Sequence, residues 1–306
     1  MSAELIEREV TGAAPVAAPV VAPRPSGWVP YLLALPMALV FLLFFVVPML
    51  LVVVVSFFEY ETYEVLIPAF TLQNYIDVFG EAVTWQTYLN TVKYCVIVWA
   101  ITFTLGFTIA YFLAFYVRTL TWQMALFLIT TVPFWTSNVI RMISWIPLLG
   151  RNGLVNSTLI ELGLINEPQE WLLYSDFSVI LGYVHLFTVF MIVPIFNSMA
   201  RIDKSLVEAA RDAGASEWQT IRHVILPLCK TGIAIGSIFV VTIVMGDFVT
   251  VAVLGGGQLA SVGKSIWTEL GYLQFPPAAA NAMVLLVTVI LLIVALSRIV
   301  DIRKEL

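Results

Sequence analysis

From Trp28 to Phe57 the chain carries no charged side chain, and apolar stretches recur over residues 87–117, 177–200, 231–254 and 279–299. A helix that crosses a bilayer needs about 20 predominantly apolar residues, so each stretch reads as a spanning helix. A weaker sixth stretch, over 123–142, is interrupted by Pro133. The expected fold is therefore an all-α polytopic membrane protein with six transmembrane helices, over 28–57, 87–117, 123–142, 177–200, 231–254 and 279–299. Composition agrees: 60% of residues are hydrophobic and 11% charged, where a soluble domain carries about 25% charged residues.

Orientation follows from Lys and Arg, which stay on the cytoplasmic side of short loops. Of the 15 such residues, Lys93, Arg141, Arg151 and Lys264 fall on or near the outer side and the rest on the side of the N-terminus. Both termini and residues 201–230 are thereby expected in the cytoplasm. Residues 1–26, rich in Ala, Pro and Val, lack the basic start and short apolar core of a signal peptide and read as a disordered cytoplasmic tail. Residues 27–300 read as the membrane domain and 301–306 as a cytoplasmic C-terminal tail. The outer segments hold Glu59, Glu61, Glu64, Asp77, Glu81, Glu161, Glu167, Glu170, Asp176 and Glu269. This negative face either draws in cations or serves solubility alone. The segment 150–176 is amphipathic and expected to be partly helical. Cys95 and Cys229 fall at different depths and suit neither a disulfide nor a metal site.

The cytoplasmic segment 201–230 is the polar exception. Ser205-Leu-Val-Glu208 has the form of a capping box, in which a Ser side chain satisfies a helix-start amide and a Glu three residues on reaches back. Leu206, Ala209, Ala210 and Ala213 then line one helix face, and Gly214 stands where a left-handed residue ends a helix. Ser216-Glu-Trp-Gln219 repeats the box and opens a second helix that reaches Pro227. Three alanines leave little side chain and permit close approach of another surface, yet so short a helix is marginal alone. Either the chain's own spans complete it, with Glu208 only a cap, or a soluble partner does, in a helix-in-groove mode. A DNA-binding helix-turn-helix is excluded, because Asp203, Glu208, Asp212 and Glu217 cancel the basic residues.

Glu208-Ala209-Ala210, then Gly214, then Val224-x-Leu226-Pro227 resembles the EAA signature of permease subunits in ATP-binding-cassette importers, with Val224 where the family usually has Ile. The resemblance implies a type I importer permease architecture in which Ser205–Ser216 is the coupling helix between spans 4 and 5, seated in a groove of a cytoplasmic ATPase. It implies that Ser205, Leu206, Glu208, Ala209, Ala210, Ala213, Gly214, Ser216 and Pro227 form the ATPase-coupling element. Further implied are a second, homologous permease subunit, two copies of the ATPase, an external or periplasmic solute-binding protein, and residence in a bacterial inner membrane. ATP and Mg would be held by the ATPase, with no cofactor in this chain. Within importers, Val132-Pro-Phe-Trp-Thr-Ser-Asn-Val-Ile-Arg141 with Trp145, Gly153-Leu-Val-Asn-Ser157, Gly163-Leu-Ile-Asn-Glu-Pro168, Gly246-Asp-Phe-Val-Thr250 and Leu254-Gly-Gly256 resemble the spermidine/putrescine permease family. Ile143, Val251 and the Leu186-Phe187-Thr188 run depart from it, and relatives with this frame carry other amines and amino acid derivatives.

Five residues are candidates to line the substrate path. Asp247 is a carboxylate within a span, costly enough that it must face the bundle interior or a cavity; it serves either as an ammonium contact or as an interhelical lock. Trp135, Asn138, Arg141 and Trp145 cluster after Pro133, where aromatic faces can hold an ammonium or form an interfacial belt. His185 reads as a helix–helix hydrogen-bond partner. No Walker-type phosphate loop and no catalytic constellation is present, so the chain is expected to be no enzyme. An ion-driven secondary transporter is the rival class; it favours coupled intramembrane carboxylates, and Asp247 stands nearly alone.

Overall fold

The computed structural model describes residues 27–61 and 64–299; the expected tails at 1–26 and 301–306 lie outside the described residues. The chain divides into a unit ending at Leu51 and a second beginning at Val52. The first helix, α1 (Pro30–Val55), is apolar throughout and contains Pro36. Its turn Leu42–Val46 is widened to a π-helix directly before Pro48, which has no N–H to offer the preceding turn.

The second unit opens on a hairpin that the hydropathy pattern did not foresee. Strand β1 (Phe58–Glu61) pairs antiparallel with β2 (Glu64–Phe70), with Phe58 opposite Phe70 and Glu59 opposite Ile67. The Phe58 and Phe70 rings meet edge to face at 5.9 Å. Helix α2 (Gln73–Gly80) fastens the hairpin base: buried Asn74 donates to the Ser56 and Phe58 carbonyls at 3.0 and 2.8 Å.

The core is a sandwich of three long helices. Helix α3 (Ala82–Tyr111) ends in a π-turn at Phe112–Tyr116. Helix α4 (Leu120–Thr131) passes through a 3-10 turn at Val132–Trp135 into α5 (Asn138–Ser144), with the chain bent by 90° between Trp135 and Asn138. After α6 (Leu154–Glu161) comes α7 (Asp176–Met199), started by a reciprocal cap between Ser175 and Ser178. The polar segment supplies α8 (Lys204–Asp212) and α9 (Glu217–Thr220). Helix α10 (Lys230–Gly246) is followed by α11 (Val249–Leu254), α12 (Val262–Gly271) and α13 (Phe275–Ile299).

Helix α7 packs against both α3 and α10, burying Tyr94, Val98, Tyr183, Met191, Ile195, Val240 and Val244. Lipid is as apolar as leucine, so spanning helices associate through close packing and polar links rather than through expulsion of water. Small residues provide the closeness: Gly106 faces Met191, while Gly232 and Gly236 face Pro194 and Met191. Polar links pin the same helices. Asp176 accepts from Lys93 Nζ at 2.8 Å and from the Tyr94 hydroxyl at 2.5 Å, and Trp99 Nε1 donates to Ser237 at 2.8 Å.

Among the described residues, four helices are long and apolar enough to cross a membrane, and there are six if each of two bent pairs is one span. The bends are where the expected boundaries fail. The third span was expected over 123–142 with an interruption at Pro133, and there α4 gives way to a 3-10 turn. The fifth was expected over 231–254, but its helix stops at Gly246, because Asp247 is extended (φ −74°, ψ 130°). Segment 150–176 is partly helical, through α6 and a 3-10 turn at Glu170–Leu172.

Candidate coupling segment and polar break

Helix α8 is amphipathic, but it begins earlier than its Ser-x-x-Glu pattern suggests. Asp203 is the cap, its carboxylate accepting from the Ser205 amide at 2.9 Å, and Ser205 is already the second helical residue. The expected box between Ser205 and Glu208 is therefore not formed, since Asp is as good a cap as Ser and starts the helix two residues sooner. The Ser205 amide first, and the Ser205 side chain with it, hold the Asp203 carboxyl below the usual carboxylate range.

The other end follows expectation. Gly214 has φ +83°, its amide donates to the Arg211 carbonyl at 2.9 Å, and the Ala215 amide reaches the Ala210 carbonyl at 3.0 Å. These two bonds form a Schellman turn, which needs a left-handed residue at Gly214. Ser216 and Gln219 complete a reciprocal capping box, at 3.3 and 2.8 Å. The second helix reaches Leu228 through a π-turn at Ile221–Ile225, taking in Pro227, and then bends by 72° into α10.

One side of α8 buries Val207. The opposite side is open: Leu206 is 49% exposed, Ala209, Ala213 and Glu208 are exposed, and Ala210 is half-buried. The second helix of the hairpin packs against α8 and the Val207 side is closed, while the Leu206–Ala209–Ala213 face is left uncovered, a shallow surface that a second protein can approach closely.

Deeper in the fold, Asp247 sits in the gap between α10 and α11. Its carboxylate accepts the Thr250 amide at 2.9 Å and so caps α11, while the carbonyls of Gly246 and Asp247 abut Gly263, where no Cβ fits. Tyr183 of α7, Asn138 of α5 and the Thr250 side chain face the same carboxylate. The Asn138 Oδ1 atom is buried with no hydrogen-bond partner among the described residues, an expensive state for a polar atom unless something binds there. Sequence reasoning had Asp247 and Asn138 but missed Tyr183 and Thr250. The Asp-x-x-Thr spacing was a usable sign of a capped helix start; Tyr183 left none, because nothing local sets it apart from a core aromatic.

The remaining path candidates divide. Arg141 lies one turn beyond Asn138 with its Nε buried and unpartnered. Trp145 donates from Nε1 to His185 Nδ1 at 3.1 Å, the interhelical link expected of His185. Trp135 is 84% exposed at the 3-10 turn and joins none of these groups.

A bundle with broken spans, an open alanine-faced helix on a polar hairpin and a polar gap in its interior is the form of a transport permease. The chain belongs to the family described as binding-protein-dependent transport system inner membrane component, whose model matches residues 16–304. It is similar to the spermidine/putrescine transport system permease protein PotB of Haemophilus influenzae, 34% identical over 74% of this chain and 79% of that one. It is also similar to PotB of Escherichia coli, 32% identical over 79% of this chain and 87% of the relative. A third relative, the inner membrane ABC transporter permease protein YdcU of Escherichia coli, is 31% identical over 76% of each chain. The fold matches a chain of a bacterial ABC transporter that imports the acidic polysaccharide alginate, with a TM-score of 0.69 at 18% identity over 89% of this chain and 94% of that one. The type I permease fold is thereby established, and the chain is a permease subunit of an ATP-binding-cassette importer.

Proposed function

We propose that this permease forms half of the pathway for a small amine, with spermidine or putrescine the leading substrates, and that a cytoplasmic ATPase drives it through α8. The observation that carries the coupling role is the uncovered Leu206–Ala209–Ala213 face with Glu208 beside it. A groove on the ATPase would receive that face, Glu208 would pair with a donor at its rim, and the Schellman turn at Gly214 would set the angle of entry. Two ATPase copies binding ATP and Mg, a second permease and an external solute-binding protein complete the reading, with both termini of this chain cytoplasmic.

The substrate reading rests on the PotB relatives and on Asp247. A primary ammonium has three donors, and the carboxylate with the free Asn138 Oδ1 and the neighbouring hydroxyl oxygens of Tyr183 and Thr250 offers acceptors to match. A second reading, an amine that also carries a carboxylate, is favoured by the unpartnered Arg141, whose fork matches a carboxylate. In proteoliposomes holding the complete transporter, Asp247→Asn should slow putrescine uptake at least tenfold while hydrolysis without solute continues. Competition by an ω-amino acid that is lost in Arg141→Gln would favour the second reading. Unchanged uptake and unchanged cation preference in Asp247→Asn would sink the role of Asp247 as the ammonium contact.

A further inference from the structure

The EAA hairpin is attached to span 5 by the chain itself, but it also touches the inner end of span 2. Tyr116, the last residue of the π-turn that ends α3, donates its hydroxyl to Glu217 Oε1 at 3.2 Å. The same oxygen lies 3.7 Å from an Arg211 guanidinium nitrogen. Arg211 and Glu217 flank the Gly214 turn, so one carboxylate ties the two helices of the hairpin to each other and to a span about 100 residues earlier in sequence.

Packing does not force this union. Beside the bond, α3 and the hairpin are separated by an open apolar groove of about 410 Å³ lined by Phe103, Phe107, Trp218, Ile221 and Leu226. The side chains of Arg211 and Glu217 are 50% and 66% exposed, and exposed pairs add little to stability. What distinguishes the contact is its position. Both ends adjoin widened turns, Phe112–Tyr116 on span 2 and Ile221–Ile225 just after Glu217. A π-turn interrupts the regular hydrogen-bond ladder and occurs frequently at functional sites.

We propose that Glu217 is a positioning residue for energy coupling: bridging Arg211 and Tyr116, it carries displacement of the docked hairpin to the inner end of span 2. The proposal rests on the docking role of α8 given above. Without the bridge, the groove lets the hairpin move while span 2 stays behind. Span 2 is in turn bound to span 4 through Lys93, Tyr94 and Asp176 at its other end, so this route reaches the outer side through two long helices.

The test uses the complete transporter in nanodiscs and amide hydrogen exchange, with ATP and vanadate as the probe, and needs no knowledge of the solute. In the unaltered protein both α8 (204–212) and the inner end of span 2 (112–117) should change exchange on trapping. In Glu217→Gln and Tyr116→Phe the α8 response should persist, while the response at 112–117 falls about threefold, the size expected for loss of one hydrogen bond to a charged acceptor at a partly exposed site. The double variant should be no worse than either single one. Equal responses at 112–117 in the unaltered and variant proteins would overturn the bridge. A silent α8 in the unaltered protein would overturn the docking reading and the bridge with it.

Discussion

Replacing Gly232 by Ala tests whether spans 4 and 5 are held at the distance the structure gives. A Cβ at Gly232 would fall onto the Pro194 carbonyl oxygen, well inside van der Waals contact, and would lie 2.5 Å from Ser198 Oγ. The Ser side chain can rotate away, but a backbone carbonyl inside α7 cannot. The helices must therefore part by about 1 Å, enough to forfeit a quarter to a half of each dispersion contact along the seam. Overpacking of this kind costs about 1–3 kcal/mol, and an obstacle made of backbone belongs near the top of that range. Ala offsets about 0.8–1 kcal/mol through its better helix propensity, which leaves a net loss of about 2 kcal/mol. Gly236→Ala meets the Met191 sulfur at 2.7 Å; a thioether adapts, so that loss should stay near 1 kcal/mol on the same scale. Gly271→Ala has nothing within 4 Å of its Cβ and should be neutral. Unfolding by titration with SDS in mixed micelles, followed by tryptophan fluorescence, reads all three. A Gly232→Ala protein within about 0.5 kcal/mol of the unaltered one would refute the close approach of α7 and α10, since that falls well short of the net loss expected.

Three further outcomes are expected. Ser205→Ala should leave the α8 hairpin's circular dichroism and protease resistance unchanged, whereas Asp203→Ala should fray the start of α8; the reverse result would reinstate Ser205 as the cap. Because the Asp203 carboxyl is held low, its capping is in force above the ordinary carboxylate range and fades only as pH falls through that depressed value. Ser216→Ala removes one half of a reciprocal box and should destabilise the hairpin by about 1 kcal/mol, seen as faster amide exchange at 217–220. Burial and, less strongly, the neighbouring Glu81 raise the Glu269 carboxyl, against the hydrogen bond from Asn281 at 2.7 Å. Its folded form therefore favours the proton, and the associated stability, full below the ordinary carboxylate range, is lost as pH rises through the elevated value. Glu269→Gln should flatten that dependence and raise the melting temperature at neutral pH; an unchanged pH profile would count against it.

The sequence made the spans legible because hydrophobicity over about 20 residues is a bulk property. It also disclosed Gly214 and the Ser216 box, since both are set by residues within one turn. Breaks were harder to place. Pro133 announced its own interruption, but Asp247 could be read as an ordinary buried carboxylate until its bond to Thr250 showed it starting a new helix. Two capping candidates two residues apart, Asp203 and Ser205, are equivalent by local rule, and only the observed bond from the Ser205 amide to Asp203 separates them. The hairpin at 58–70 was hidden because its register shifts between Phe58 and Glu61, which blurs the alternation that marks a strand. Tyr183, Thr250 and the Tyr116–Glu217 bond depend on long-range packing, which no window of neighbouring residues contains.

The bend at Cys229 has a mechanical meaning. Residues Glu217–Leu228 run as a continuous arm set at 72° to the helix that follows, and at about 1.5 Å per residue such an arm is about 18 Å long. Rotating it by about 10° about the bend would move its far tip by about 3 Å on that geometry, while the fifth span merely turns in place. Such an arm would act as a crank, turning modest travel at its tip into rotation of the helix whose far end carries Asp247. Motion delivered at the tip would thus re-aim the polar gap without having to slide any span through its packed neighbours.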